Sequence, residues 1–111
     1  MKQARSFLKR IRVSPQKARL VADIVRGMDV NKALFELKIN PAKAATPLYK
    51  TLRSAVANAE NNMMLSRENL KVVEVRVDEG PRYKRSVSRN KGGRHPILKR
   101  TSHFTVVVGS E

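Results

Sequence analysis

Leu70-Lys71-Val72-Val73-Glu74-Val75-Arg76-Val77 alternates valine with charge. That is the signature of a strand with one buried and one wetted face, because successive strand side chains point to opposite sides. Residues 101–108, Thr-Ser-His-Phe-Thr-Val-Val-Val, read as its partner strand. The segment between them is of another kind. Residues 80–100 hold Arg82, Lys84, Arg85, Arg89, Lys91, Arg94, Lys99 and Arg100 with no acidic residue, and Val87, Ile97 and Leu98 are the aliphatic side chains there. A hairpin turning at Lys91-Gly92-Gly93-Arg94 gives arms of about ten residues that reach on the order of 30 Å. So few aliphatic groups cannot pack such an arm against a core of its own, and an isolated two-stranded ribbon is marginal in water. An outside partner must hold it; in the free chain the same composition also fits a basic loop that orders on binding.

Upstream, residues 4–13 mix Phe7, Leu8, Ile11 and Val13 with basic residues in an imperfect alternation that suits a half-buried strand. Ser14-Pro15 reads as an N-cap with proline at the first helical position, where its missing N–H costs nothing. Ala18, Val21, Ala22 and Val25 follow at helical spacing, and Gly27 is the left-handed stop. A short second helix over 31–37 carries Ala33, Leu34 and Leu37 on one face, with Asn31 as a possible cap, and Asn40-Pro41 restarts the chain. The longest helix bears the stripe Leu48, Leu52, Ala55, Val56 and Ala59, which makes it the core helix. Pro47 within that pattern predicts a boundary or bend near Thr46, with Thr46 as cap, and Asn61-Asn62 closes the helix.

The 111 residues fit one domain. With 41% hydrophobic residues but only three Phe, two Tyr and no Trp, the core must be built from Val, Leu, Ile and Ala. Twenty-four Lys and Arg against nine Asp and Glu leave a formal charge of +15, a self-repulsion that calls for a polyanionic partner. No stretch approaches the ~20 apolar residues of a spanning helix, and the amphipathic helices lack aromatic anchors, so nucleic acid is favoured over membrane. Cysteine is absent, which removes disulfides and thiolate chemistry and agrees with a reducing compartment. No signal-peptide run follows the basic start.

Arginine offers phosphate a planar fork of donors and lysine a mobile point charge, so the basic arm suits the RNA or DNA backbone. A charge run is often just a solvated face, but the missing balancing acids argue against that here. Base-reading modules are not evident: there is no RNP-type aromatic pair, no zinc-finger spacing and no helix-turn-helix. Lys91-Gly92-Gly93-Arg94 lacks the spacing and strand-to-helix context of a phosphate-binding loop and reads as a turn. His95 and His103 have no partners at metal-ligand spacing; His103 faces RNA or satisfies a polar spot in its strand. Asp78-Glu79 is the acidic pair a metal nuclease would need, yet neighbours on a strand point apart, so it reads as a turn cap or a balance for nearby Arg. Met63-Met64 is an apolar edge.

Four segments then carry a resemblance: Arg19-Leu20-Val21-Ala22-Asp23-Ile24-Val25-Arg26-Gly27, Ser54-Ala55-Val56-Ala57-Asn58-Ala59-Glu60-Asn61-Asn62, Val77-Asp78-Glu79-Gly80-Pro81 and Leu98-Lys99-Arg100-Thr101-Ser102-His103. In this order they make the chain similar, over residues 12–108, to the large-subunit ribosomal protein twenty-two family, the exit-tunnel hairpin proteins, of bacterial and organellar type. The resemblance implies an α+β fold, three helices packed on a small antiparallel sheet with a long protruding basic β-hairpin at about 80–100, all in one domain over 1–111. It implies a structural protein rather than an enzyme, without cofactor or metal, in ribosomes of the cytoplasm or of an organelle. Its partners would be large-subunit ribosomal RNA, whose assembly it supports, neighbouring ribosomal proteins, and the nascent peptide at the hairpin tip; neither a membrane nor homo-oligomerisation is implied. Carried over by position, Arg82, Lys84, Arg85, Arg89, Lys99 and Arg100 contact RNA along the arm and Ser14, Lys17 and Arg19 on the body, while Lys91, Gly92, Gly93 and Arg94 form the tunnel-facing tip. Pro47 and Pro96 depart from the family's pattern, and Pro96 bears on the hairpin register.

Two rivals remain. A regulatory or nucleoid-type binder fits the composition equally and predicts binding to duplex DNA as tight as to structured RNA. An RNA-processing enzyme using Asp78 and Glu79 predicts metal-dependent cleavage lost when both become Ala.

Overall fold

A computed structural model describes residues 2–81, 83–88 and 94–110, with the backbone alone for 83–88 and 94–99. The chain runs β1 (Lys2–Ile11), α1 (Pro15–Val25), α2 (Val30–Ile39), α3 (Ala45–Met63), a 3-10 turn (Arg67–Asn69), β2 (Leu70–Glu79), β3 (Tyr83–Ser88), β4 (Arg94–Lys99) and β5 (Ser102–Ser110). β5 is the centre of an antiparallel sheet ordered β1-β5-β2, and β3 pairs with β4 alone. Three helices on a small antiparallel sheet, with a separate β-ribbon, is the α+β architecture expected.

The alternation of β2 is realised as read: Leu70, Val72, Val75 and Val77 are buried while Lys71, Glu74, Arg76 and Asp78 are exposed. A register shift between Val72 and Glu74 turns Val73 outward, so valines on both sides of the bulge reach the core. β5 supplies Phe104, Val106 and Val108 to the same face, and Phe104 is the largest fully buried side chain. α3 lies across β1 and β5 through the stripe Leu48, Leu52, Ala55, Val56 and Ala59; α1 runs along β2, and α2 packs on α3. The opposite sheet face is wetted, and there the Arg5 guanidinium sits 5.9 Å from the Phe7 ring centroid.

Gly27 is left-handed, φ 78°, and ends α1 as expected; its amide then donates to the Val72 carbonyl, stitching the helix exit onto β2. Pro15 opens α1, but Ser14 makes no side-chain cap bond. The other helix ends fall elsewhere than the cap rules place them. α2 starts after Asp29, so Asn31 lies inside its first turn rather than capping it. α3 begins at Ala45 after Ala44, which puts a boundary next to Thr46 but takes the cap role from it; Pro47 falls in the first turn, where a missing N–H breaks no helical bond. α3 also passes Asn61 and Asn62 and closes on Met64, left-handed at φ 55°. No described helix is long and apolar enough to cross a membrane.

The arm forms a regular ladder, Tyr83↔Lys99 through Ser88↔Arg94, which settles the register around Pro96 opposite Ser86. Proline fits a two-stranded ladder where its missing N–H would point outward. The described ladder spans six of the roughly ten residues expected in each arm, and the rest of the arms lies outside the described residues. Arg94 lies in β4 opposite Ser88, and the remaining turn residues Lys91, Gly92 and Gly93 lie outside the described residues, as do Arg82 and Arg89.

Candidate nucleic-acid interface

The site begins where the arm leaves the sheet. The last rung of the body is Glu79↔Ser102 and the first rung of the arm is Tyr83↔Lys99, with three residues of chain between them on one side and two on the other. Two bonds fix that joint: the Gly80 amide donates to the Thr101 carbonyl at 2.9 Å, and the Thr101 hydroxyl donates to the Pro81 carbonyl at 2.7 Å. Glycine is required because a Cβ at position 80 would lie 2.4 Å from Thr101 Oγ1. Arg100 is exposed beside this joint. Lys84, Arg85 and Lys99 are carried by the paired strands, so the ladder spaces these cations along a ribbon.

On the body, Ser14 and Lys17 line a cleft of about 510 Å³ together with Arg12 and Lys43, over a floor that includes Val13, Val21 and Ala44. The α1 N-terminus opens there, adding the partial positive charge of unpaired amides to that of the cations. The arrangement suits an anion. Arg19 is not in this cleft. Two residues apart on a helix point in widely different directions, and Arg19 turns the other way, Nη2 donating to the Val77 carbonyl at 3.1 Å. Arg26 does the same lower down, donating from Nε and Nη2 to the Val75 carbonyl at 3.2 and 2.7 Å and from Nη1 to Asp23. The pair clasps α1 to β2, a structural duty that composition does not disclose; Arg19 remains exposed, with donors to spare.

His103 is the polar contact within the sheet that the sequence allowed for: Nδ1 accepts the Arg10 amide at 3.1 Å. Asp78 and Glu79 are both exposed at the end of β2. Among the described residues no group of His, Cys, Asp and Glu could hold a metal. The sequence did not single out Lys9, Arg10 and Arg12, three exposed cations at and just after the end of β1. A signal was present: Leu8 and Ile11 both pack on the core, yet stand three apart, which a period of two cannot satisfy without a bulge.

The family model described as ribosomal protein L22p/L17e matches residues 6–109. Among curated proteins the chain is similar to the large ribosomal subunit protein uL22 of Protochlamydia amoebophila, 56% identical over 110 residues that cover 99% of each chain. The proteins of the same name from Chlamydia pneumoniae and Chlamydia felis are 56% and 57% identical, over 91% and 89% of each chain respectively.

Proposed function

The chain belongs to the ribosomal protein L22p/L17e family, and from that premise we propose that it is a structural constituent of the large ribosomal subunit that binds the subunit's RNA. The family is one of structural, non-enzymatic proteins, and Asp78 and Glu79 need no catalytic role. Residues 1–111 act as one domain in this reading, placed in the cytoplasmic ribosome among neighbouring ribosomal proteins and without pairing to a second copy. The observation that carries it is the arm: a separate two-stranded ribbon, joined to the body by the bonds of Gly80 and Thr101, in a segment, residues 80–100, that bears cations and no acid.

Mechanistically the arm works by backbone neutralisation. Each phosphate met by Arg or Lys releases counterions, and a ladder of such contacts gains affinity without reading bases. Arg82, Lys84, Arg85, Arg89, Lys99 and Arg100 line RNA along its length, and Ser14, Lys17 and Arg19 meet RNA on the body. By holding RNA segments together the chain supports assembly, and Lys91, Gly92, Gly93 and Arg94 face the nascent peptide in the exit tunnel. A photo-crosslinker placed at Lys84, Lys99 and Gly93 in turn, within assembled subunits, tests this. Crosslinks from the first two to large-subunit RNA, and from the third to a nascent chain in stalled complexes, are expected; crosslinks only to small-subunit RNA or DNA would contradict it.

A further inference from the structure

β1 is in register with β5 as far as Leu8↔Phe104 and resumes at Ile11↔Ser102, so Lys9 and Arg10 together face His103. Arg10 occupies the left-handed region at φ 57°, where the Cβ of an L-residue is crowded and glycine is at home. The bulge takes its amide out of the ladder, and His103 Nδ1 accepts that amide across 93 residues of sequence. Acceptance at Nδ1 leaves the ring proton to Nε2. The same ring borders the arm's joint, since a Cβ on Gly80 would lie 3.1 Å from its Cε1. His103 therefore ties the β1 bulge to the place where the arm departs.

Bulges re-aim side chains. Here the outcome is a group of exposed cations, Lys9, Arg10 and Arg12, none in an ion pair among the described residues, where the pairs engage Arg26, Arg67 and Arg76. Asp78 approaches His103 from the other side, on β2, across the central strand. A glycine would make this turn without strain, so an arginine in it trades backbone comfort for a guanidinium at that spot.

We propose that the bulge at Lys9 and Arg10, latched by His103, is a phosphate clamp for large-subunit RNA at the root of the arm, with Arg10 as the binding fork and His103 as a positioning residue. The clamp rests on the reading that the partner is RNA, and adds a contact on the body that fixes where the arm enters it.

The test is titration of the full chain onto transcribed large-subunit RNA over a series of KCl concentrations, beside thermal melting of the free protein. Arg10→Gly keeps the left-handed backbone without its strain, so it melts higher than the parent, yet the slope of log affinity against log salt falls by roughly one. Arg10→Lys keeps most of the slope. His103→Leu binds as weakly as Arg10→Gly, the double variant is no weaker than either, and His103→Asn, whose Oδ1 can stand in for Nδ1, restores binding. An Arg10→Gly variant with the parent's affinity and slope, while the parent binds steeply, overturns the clamp and leaves the RNA reading standing. A His103→Leu variant that binds like the parent removes the latch, and a parent with no salt-dependent RNA binding removes both readings.

Discussion

Position 80 has no room for a side chain. Its neighbour Thr101 is buried, with its hydroxyl committed to the Pro81 carbonyl, so the oxygen 2.4 Å from a would-be Cβ cannot step aside without breaking that bond. Gly80→Ala should cost about 1–3 kcal/mol of unfolding free energy in urea titration, as overpacking does. Adding Thr101→Ala should recover part of it, a coupling that independent sites would not show. Ser102 is a second fixed point: fully buried, it donates to the Val13 carbonyl at 2.6 Å and ties the connection between β1 and α1 to β5. Ser102→Ala leaves that carbonyl without its partner and should cost about 1–3 kcal/mol. At this scale the sequence was least informative. Arg19 and Arg26 look like any surface cations until their carbonyl partners on β2 are seen, because a guanidinium serves phosphate and peptide oxygen equally well. The reading of Arg19 as an RNA contact saw the charge and missed the clasp.

Elements were more legible, because period is a collective property that single residues cannot hide. The valine alternation of β2, the apolar stripe of α3 and the Pro15 and Gly27 punctuation of α1 all have their physical counterparts in the fold. Helix ends were harder. α2 opens after Asp29 and α3 closes on left-handed Met64, where tertiary packing overrides the cap preferences that favoured Asn31 and Asn62. The bulge in β1 was written in the spacing of Leu8 and Ile11, which the sequence reading registered as an imperfect alternation without placing a bulge there. The arm yields the prediction proper to this scale. β3 and β4 pair with each other and not with the body's strands, so replacing Arg85, Arg89 and Arg94 by Ala should leave the melting of the body unchanged. RNA affinity should drop, and the salt slope should flatten by about two to three units as those phosphate contacts disappear. An unchanged slope would mean that the arm is not the RNA contact.

As a whole the chain is long for its size. The radius of gyration is 17.0 Å and the longest dimension 63 Å, against roughly 13 Å for a compact domain of this length. Among the described residues the apolar cluster lies in the body. The charge of +15 works against the free state. Raising KCl from about 0.05 to 0.5 M shortens the Debye length severalfold and should raise the Tm of the free protein, because like charges no longer repel across the surface. The central claim is that this molecule exists to be part of a large ribosomal subunit. The direct measurement is sedimentation of a native lysate through a high-salt gradient, with the chain followed by mass spectrometry across free, small-subunit and large-subunit fractions. The account predicts near-stoichiometric recovery with the large subunit, and recovery as free protein or on DNA would contradict it.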